Sequence, residues 1–313
     1  MKNNESFDFY SPLNLKAYNL DESIRYQLTV LDHLDNVTKK HSENVANLTL
    51  RLCEYLHCKK VFTIHSTICA YLHDIGKAFI PKEILQKPAR LTDEEYAVIK
   101  THTTLGYEFC MKDMKLRPYA GGALYHHESL DGSGYPNGLT KKDIPYYAQI
   151  IHVADVYDAL VSKRQYKTHI SISDTLKMLI KDAQPSPKSI ALDTLASDTK
   201  VGKINAKVLR ALFKVVIDDT LYEISCVYEY ADYLKAQIKR LETIENYEIK
   251  SQKAKKEKDI EYYKEGMKML FSTGENADNY KTVLQDYKNA YLVRQENIAK
   301  LYNEIKIIKK LRV

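Results

Sequence analysis

The chain has 313 residues, 44% of them hydrophobic and 28% charged, with a formal net charge of +6. That length accommodates one large domain or two, and the composition is that of a globular protein rather than a disordered or fibrous one. No stretch approaches the roughly 18 uncharged apolar residues of a membrane span, the polar first residues lack the apolar core of a signal peptide, and the mild positive charge suits an anionic ligand without requiring nucleic acid.

The expected location is therefore the cytoplasm, with no membrane and no nucleic-acid polymer as partner. In that setting Cys53, Cys58, Cys69, Cys110 and Cys226, none of them in a CxxC pair, read as reduced thiols, most of them in apolar helical patterns.

Residues 1–20, with Pro12, read as an irregular lead-in. From Asp21 to about Ile217 the pattern is helical, and no convincing run of alternating strands appears. Val45, Leu48, Leu52 and Leu56 share one helix face. Thr92 and Glu95 have the spacing of a capping box, which predicts one helix through Tyr96, Ile99 and Phe109. Pro145 precedes a helix whose inner face carries Ile151, Ala154 and Val161. Gln184–Lys200, with two prolines, reads as a loop.

After Asp218 the composition changes. Ile224, Val227, Ala231, Leu234, Ile238 and Leu241 follow a 3-4 spacing, and a lysine-rich solvated stretch comes next, SQKAKKEK at 251–258. STGEN at 272–276 breaks the helix. A second stripe runs from Ala277 through Tyr280, Leu284, Tyr287, Tyr291, Ile298, Leu301 and Ile305 to Ile308, with Arg294 its one polar member. Two long helices folded back on each other, or paired across a homodimer, would bury these stripes. The ordinary alternative is a solvated helical tail. Three domains result: 1–20, 21–217 and a helical hairpin or coiled coil over 218–313.

The residues able to do chemistry sit in helical contexts. His41 shares a face with Val45 and Leu48. His73-Asp74 follows the apolar run TICAYL, and Gly76 is expected to end that helix and leave Lys77 reaching over its mouth. His102 lies between Val98 and Leu105, His126-His127 ends a short helix, and Asp155 stands four residues after Ile151. Burying so many polar groups without partners is costly, and a shared metal centre satisfies them together. Five imidazoles and two carboxylates without thiolates suit iron or manganese first, with zinc also compatible. Seven ligands exceed one tetrahedral site, so two divalent ions are expected, with Asp74 as the bridge. Such a pair holds a bridging hydroxide and grips a phosphoryl oxygen for in-line hydrolysis.

Taken together, these residues resemble the HD-GYP family of HD-domain phosphohydrolases. The matching elements are His41, HDIGK at 73–77, His102 in KTHTTLGYEF, HHESLDGSGYP at 126–136, HVADVYDAL at 152–160 and KRQYK at 163–167. They cover nearly two-thirds of the chain, in the family's order. The resemblance implies an all-α HD-type bundle with metal ligands His41, His73, Asp74, His102, His126, His127 and Asp155. It also implies that Lys77, Arg164 and Lys167 contact the phosphates of a dinucleotide. The implied reaction is hydrolysis of cyclic di-GMP to pGpG and onward to GMP. One position departs: some members have a metal-binding glutamate where this chain has Val37, so two ions rather than three are expected. Asp35 and Glu43 are at the wrong helical offset to replace it.

In the glycine-rich stretch, Glu128 is expected to orient a ligand histidine and Asp131 to fix the turn. Gly132 and Gly134 allow the sharp bend, and Tyr135 stands at the rim as a substrate contact or a structural ring. His152 reads as a packing or ligand-supporting residue, Asp158 as a local helix contact, and His33, His57, His65 and His169 as surface or packing residues. Two other functions stay open: hydrolysis of another cyclic dinucleotide such as 3′,3′-cGAMP, and a catalytically weak cyclic-dinucleotide receptor that signals through its C-terminal helices.

Overall fold

The computed structural model describes residues 34–161, 171–185 and 201–313. Arg164, Lys167, His33, His169 and most of the expected 184–200 loop lie outside these residues. Among the described residues the fold is all-α, with only one isolated bridge, Asp131 to Thr140. No helix among them is long and apolar enough to cross a membrane.

The helices are α1 (Asn36–Tyr55), α2 (Lys60–Leu72), α3 (Lys82–Leu85), α4 (Asp93–Lys100), α5 (His102–Lys112), α6 (Ala120–Tyr125), α7 (Tyr146–Val161), α8 (Ile172–Ala183), α9 (Ala206–Lys253), α10 (Glu257–Leu270) and α11 (Tyr280–Lys310). A 3-10 helix, Ile75–Phe79, follows α2. The chain divides into two compact units, Met1–Val216 with Leu311–Val313, and Ile217–Lys310.

In the first unit α1 packs on α2 and α7, α2 on α6, and α5 on α6 and the 3-10 helix. Val45, Leu48 and Leu52 of α1 are buried, each contributing about 1.5–3 kcal/mol of transfer free energy. Asp35 caps α1 by accepting from the Val37 and Thr38 backbone N–H groups, so its carboxylate is committed to the helix end, while Val37 is exposed. Cys53, Cys69 and Cys110 are buried, Cys58 and Cys226 half-buried, and all five are free thiols.

Two local expectations are corrected. The Thr92–Glu95 capping box is present, but its helix stops at Lys100 and a second begins at His102. The Ile99 carbonyl accepts both from the Thr101 N–H and from the His102 ring, which breaks the regular ladder. Gly76 does not end α2, whose C-cap is His73. Gly76 lies inside the 3-10 helix, where an added Cβ would stand 1.9 Å from the His102 carbonyl oxygen and 2.6 Å from the Gly106 nitrogen. Its role is close packing of this turn on α5.

In the second unit α11 runs antiparallel to α9. Tyr280 Oη donates to Glu248 (2.6 Å), Lys288 pairs with Glu242 (2.9 Å) and Arg294 lies over the Tyr230 ring. Leu241, Ile244, Met267, Tyr280 and Leu284 form the local core. The stripe thus folds back within the chain, with Ile298, Ile305 and Ile308 also buried but Ala277 exposed. Where two helices were expected there are three, because the lysine-rich stretch breaks at 254–256. Like charges one turn apart disfavour helix there, and Glu257 and Asp259 begin α10 with the negative charge that a helix N-terminus favours. Arg240 secures the second break through a bidentate pair with Glu275 and a bond to the Leu270 carbonyl.

Candidate metal centre

The fold gathers side chains from five helices and the turn after α2. His41 comes from α1, His73 and Asp74 from the end of α2, His102 from the first residue of α5, His126 and His127 from the end of α6, and Asp155 from α7. His73, Asp74, His102, His126 and Asp155 are buried.

Four of the five imidazoles are aimed in the same way. The Nδ1 of His73 meets the Ala70 carbonyl (2.6 Å), that of His102 the Ile99 carbonyl (2.7 Å) and that of His126 the Ala123 carbonyl (2.9 Å). A carbonyl only accepts, so each Nδ1 carries the proton and each Nε2 turns a lone pair inward. His41 is turned the same way by a carboxylate, its Nδ1 lying 2.7 Å from Asp158, but its Nε2 meets a second carboxylate, Asp155 Oδ1, at 2.9 Å and does not present a free lone pair.

The inward atoms surround Asp74. Its Oδ2 lies 3.3 Å from His73 Nε2 and 3.6 Å from His41 Nε2, while its Oδ1 lies 3.4 Å from His102 Nε2 and 3.9 Å from His126 Nε2. Asp155 Oδ1 adds to the first group, 2.9 Å from His41 Nε2. Its Oδ2 stands 3.8 Å from His127 Nδ1. Two clusters result, His41–His73–Asp155 and His102–His126–His127, with Asp74 between them. Ligand atoms about 2.1 Å from a shared ion stand about 3–3.5 Å apart, close to the observed spacings.

The donor set fits metal for a further reason. His73 Nε2 and Asp74 Oδ1 are buried with no hydrogen-bond partner, although burial of unpaired polar atoms is unfavourable. His102 Nε2 and His126 Nε2 face each other at 3.2 Å, and with both Nδ1 protons on carbonyls their lone pairs oppose each other, an arrangement that a shared cation relieves. The clusters are consistent with a binuclear metal site.

The glycine-rich loop borders this centre. Gly134 passes so close to the preceding chain that a Cβ would stand 2.3 Å from the Ser129 nitrogen. Asp131 fixes the turn by accepting from the Ser133 N–H and hydroxyl. Buried Glu128 accepts from the Asn137 and Leu139 N–H groups (2.7 and 2.8 Å). It therefore pins the far side of the loop, where the expectation was that it would orient one of the candidate-ligand histidines. Tyr135 lies at the rim, its ring stacked on His127 with centroids 4.7 Å apart.

Residues 28–186, just over half the chain, match the HD domain family. The chain belongs to the HD domain family. Its relatives include a protein named cyclic di-GMP phosphodiesterase from Thermotoga maritima, 44% identical over 44% of this chain and 38% of that one. The cyclic di-GMP phosphodiesterase response regulator RpfG of Xanthomonas campestris is 37% identical over 47% of this chain and 39% of its own. The 3'3'-cGAMP-specific phosphodiesterase 1 of Vibrio cholerae is 34% identical over 48% and 35%. The matched region spans less than two-fifths of each of these relatives. A solved structure, Bd1817, a HDG"Y"P protein from Bdellovibrio bacteriovorus, aligns over 66% of each chain at 22% identity with a TM-score of 0.46, a likeness too distant to carry an argument.

Electrostatics in this HD domain suit most of the candidate ligands to a cation. Burial pushes the His102 and His126 pKa values down and that of His127 down to about 3, so these rings are neutral. Burial opposes ionisation of Asp74, but Lys77 and His73 hold its carboxyl well below the usual range. His41 is the exception. Burial disfavours its charged form, yet hydrogen bonds to Asp155 and Asp158 raise its pKa to about 10.

Lys77 donates to Asp74 Oδ2. His152 bonds the His126 carbonyl (2.7 Å), a supporting role as expected, and His65 packs between Tyr119 and Tyr147. Asp158 was read only as a helix contact, and the structure instead puts it on the His41 ring. Its signal was present: it follows Asp155 by one helical turn on the same face.

Proposed function

We propose that this HD domain is a phosphodiesterase that hydrolyses cyclic di-GMP through a two-metal centre. The observation that carries the reading is Asp74, each of whose carboxylate oxygens faces a different histidine cluster. The cyclic di-GMP phosphodiesterases among its relatives support the substrate class. His41, His73 and Asp155 would hold one ion and His102, His126 and His127 the other, with Asp74 shared. When bound, two divalent ions, iron or manganese before zinc, supply the acidity that makes water a nucleophile and the charge that a phosphoryl oxygen requires.

The chain's own groups do the rest. Lys77 sits beside Asp74 with part of its side chain exposed, able to add positive charge where the phosphoryl group gains negative charge. The buried histidines keep their Nδ1 protons on backbone carbonyls, so their rings do not reorient during the reaction. Tyr135 borders the substrate at the His127 side. Arg164 and Lys167 are assigned to the second phosphate on the family resemblance. The oxygen of water bonds to phosphorus, the bond from phosphorus to the 3′ oxygen breaks, and that oxygen leaves with a proton to give pGpG.

Metal content per chain and cyclic di-GMP turnover, measured on one anaerobically purified sample, test this. About two ions per chain with pGpG or GMP formed is the expected result, and Asp74→Ala should lose both metal and turnover. Full metal loading with tight binding but no turnover would replace the enzyme by a receptor. The relative named for 3'3'-cGAMP favours one second reading, preference for that dinucleotide, which a substrate panel with product analysis distinguishes.

A further inference from the structure

Helix α4 has no buried residue, so core packing does not explain its placement. Its N-terminal end is held by the Thr92–Glu95 capping box and by Lys87, whose ammonium lies 2.7 Å from both Glu95 oxygens. At the other end Lys100 sits over the Tyr96 ring, 5.3 Å from its centroid. A tyrosine and lysine four apart on a helix often pair in this way without further purpose. Lys100 does more: it also lies over the ring of Tyr135, 6.0 Å away and thirty-five residues along the chain. Tyr135 in turn stacks on His127 of the centre. A continuous rim of ring, cation, ring thus leads from the metal cluster outward. Tyr96, its outermost member, is 48% exposed, and among the described residues Lys100 has no carboxylate partner.

We infer that Tyr96 and Lys100 form a nucleotide-binding subsite, which takes the purine of the half of the dinucleotide that is not being cut, with Lys100 as a further cation beside the phosphate of that half. The inference rests on the phosphodiesterase reading above. An exposed aromatic face takes a base by stacking, and an ammonium held over aromatic rings donates to a phosphate oxygen. Only a ligand that carries both an anion and a flat ring, and that reaches the centre with a second phosphodiester, uses all parts of the rim.

The test is the dissociation constant of a hydrolysis-resistant phosphorothioate analogue of cyclic di-GMP, measured by calorimetry on the metal-loaded full chain. Tyr96→Ala and Lys100→Ala should each weaken binding about tenfold, while Tyr96→Phe and Lys100→Arg, which retain the ring and the charge, should stay within about threefold of wild type. Metal content is measured on every variant. Unchanged affinity in both alanine variants would overturn the subsite and leave the phosphodiesterase standing. Loss of metal from either variant would overturn it in favour of a structural role at the centre. A wild-type chain that neither binds the analogue nor hydrolyses cyclic di-GMP would remove both the subsite and the function it rests on.

Discussion

His41 carries a proton that an ion at this position must displace. Its pKa of about 10 keeps the ring charged at neutral pH, held between Asp155 and Asp158. Metal binding should therefore release a proton there, and apparent affinity should rise about tenfold per pH unit between roughly pH 6 and 9. Affinity measured by chelator competition across that range checks the sign, and a flat profile would show that metal binding displaces no proton from His41. Asp158 acts on the same ring from behind. Asp158→Asn keeps an acceptor but removes the charge that makes the imidazole a better donor, and should weaken one of the two ions about 10–100-fold. Retention of the second ion in the same sample separates this effect from unfolding. Sequence reading reached His41 through its helix face, but Asp158 only as a neighbour, because a supporting role depends on what lies across the helix interface.

At the scale of elements, the centre exists because helix ends converge. His73, His102 and His126 each stand at a helix terminus and bond a carbonyl three residues back, so one local device orients three rings. The distance between those ends is set by small residues. Gly76→Ala would push a Cβ into the His102 carbonyl, against backbone that cannot yield as a flexible side chain does. The expected cost is about 3 kcal/mol or more, with metal content falling as α5 moves away from Asp74. Thermal unfolding and metal analysis of Gly76→Ala check this together, and a stable, fully loaded variant would refute it. Sequence reading took Gly76 for a helix stop, since close approach of two backbones leaves no mark on hydrophobic spacing.

At the scale of the whole molecule, the two compact units each have a core of their own, and the candidate ligands all belong to the first. Ligand binding to a folded state stabilises it by about 2.7 kcal/mol at a hundredfold excess over the dissociation constant. Calorimetry should resolve two transitions, one lowered by a strong chelator by several degrees and one unmoved. A single transition that shifts as a whole would show that the units unfold together. The antiparallel return of α11 along α9 buries the apolar stripe within one chain, which removes the need for a dimer to cover it. Self-association of the exposed tyrosines Tyr228, Tyr230 and Tyr233 is a separate question, which light scattering answers.

Sequence alone determined the all-α class, because apolar residues recur at helical spacing throughout, and it singled out the candidate ligands, because each histidine or carboxylate falls on the inner face or at the end of such a helix and in a motif that resembles the HD-GYP family. The break at STGEN and the capping box were legible for the same reason: they are local. Tertiary structure decided which ligands share a cluster, that the two oxygens of Asp74 divide them, that Glu128 ties down the loop, and that Lys100 reaches Tyr135. These depend on approach between segments distant in the chain, and periodicity along one helix carries no information about which neighbour will face it.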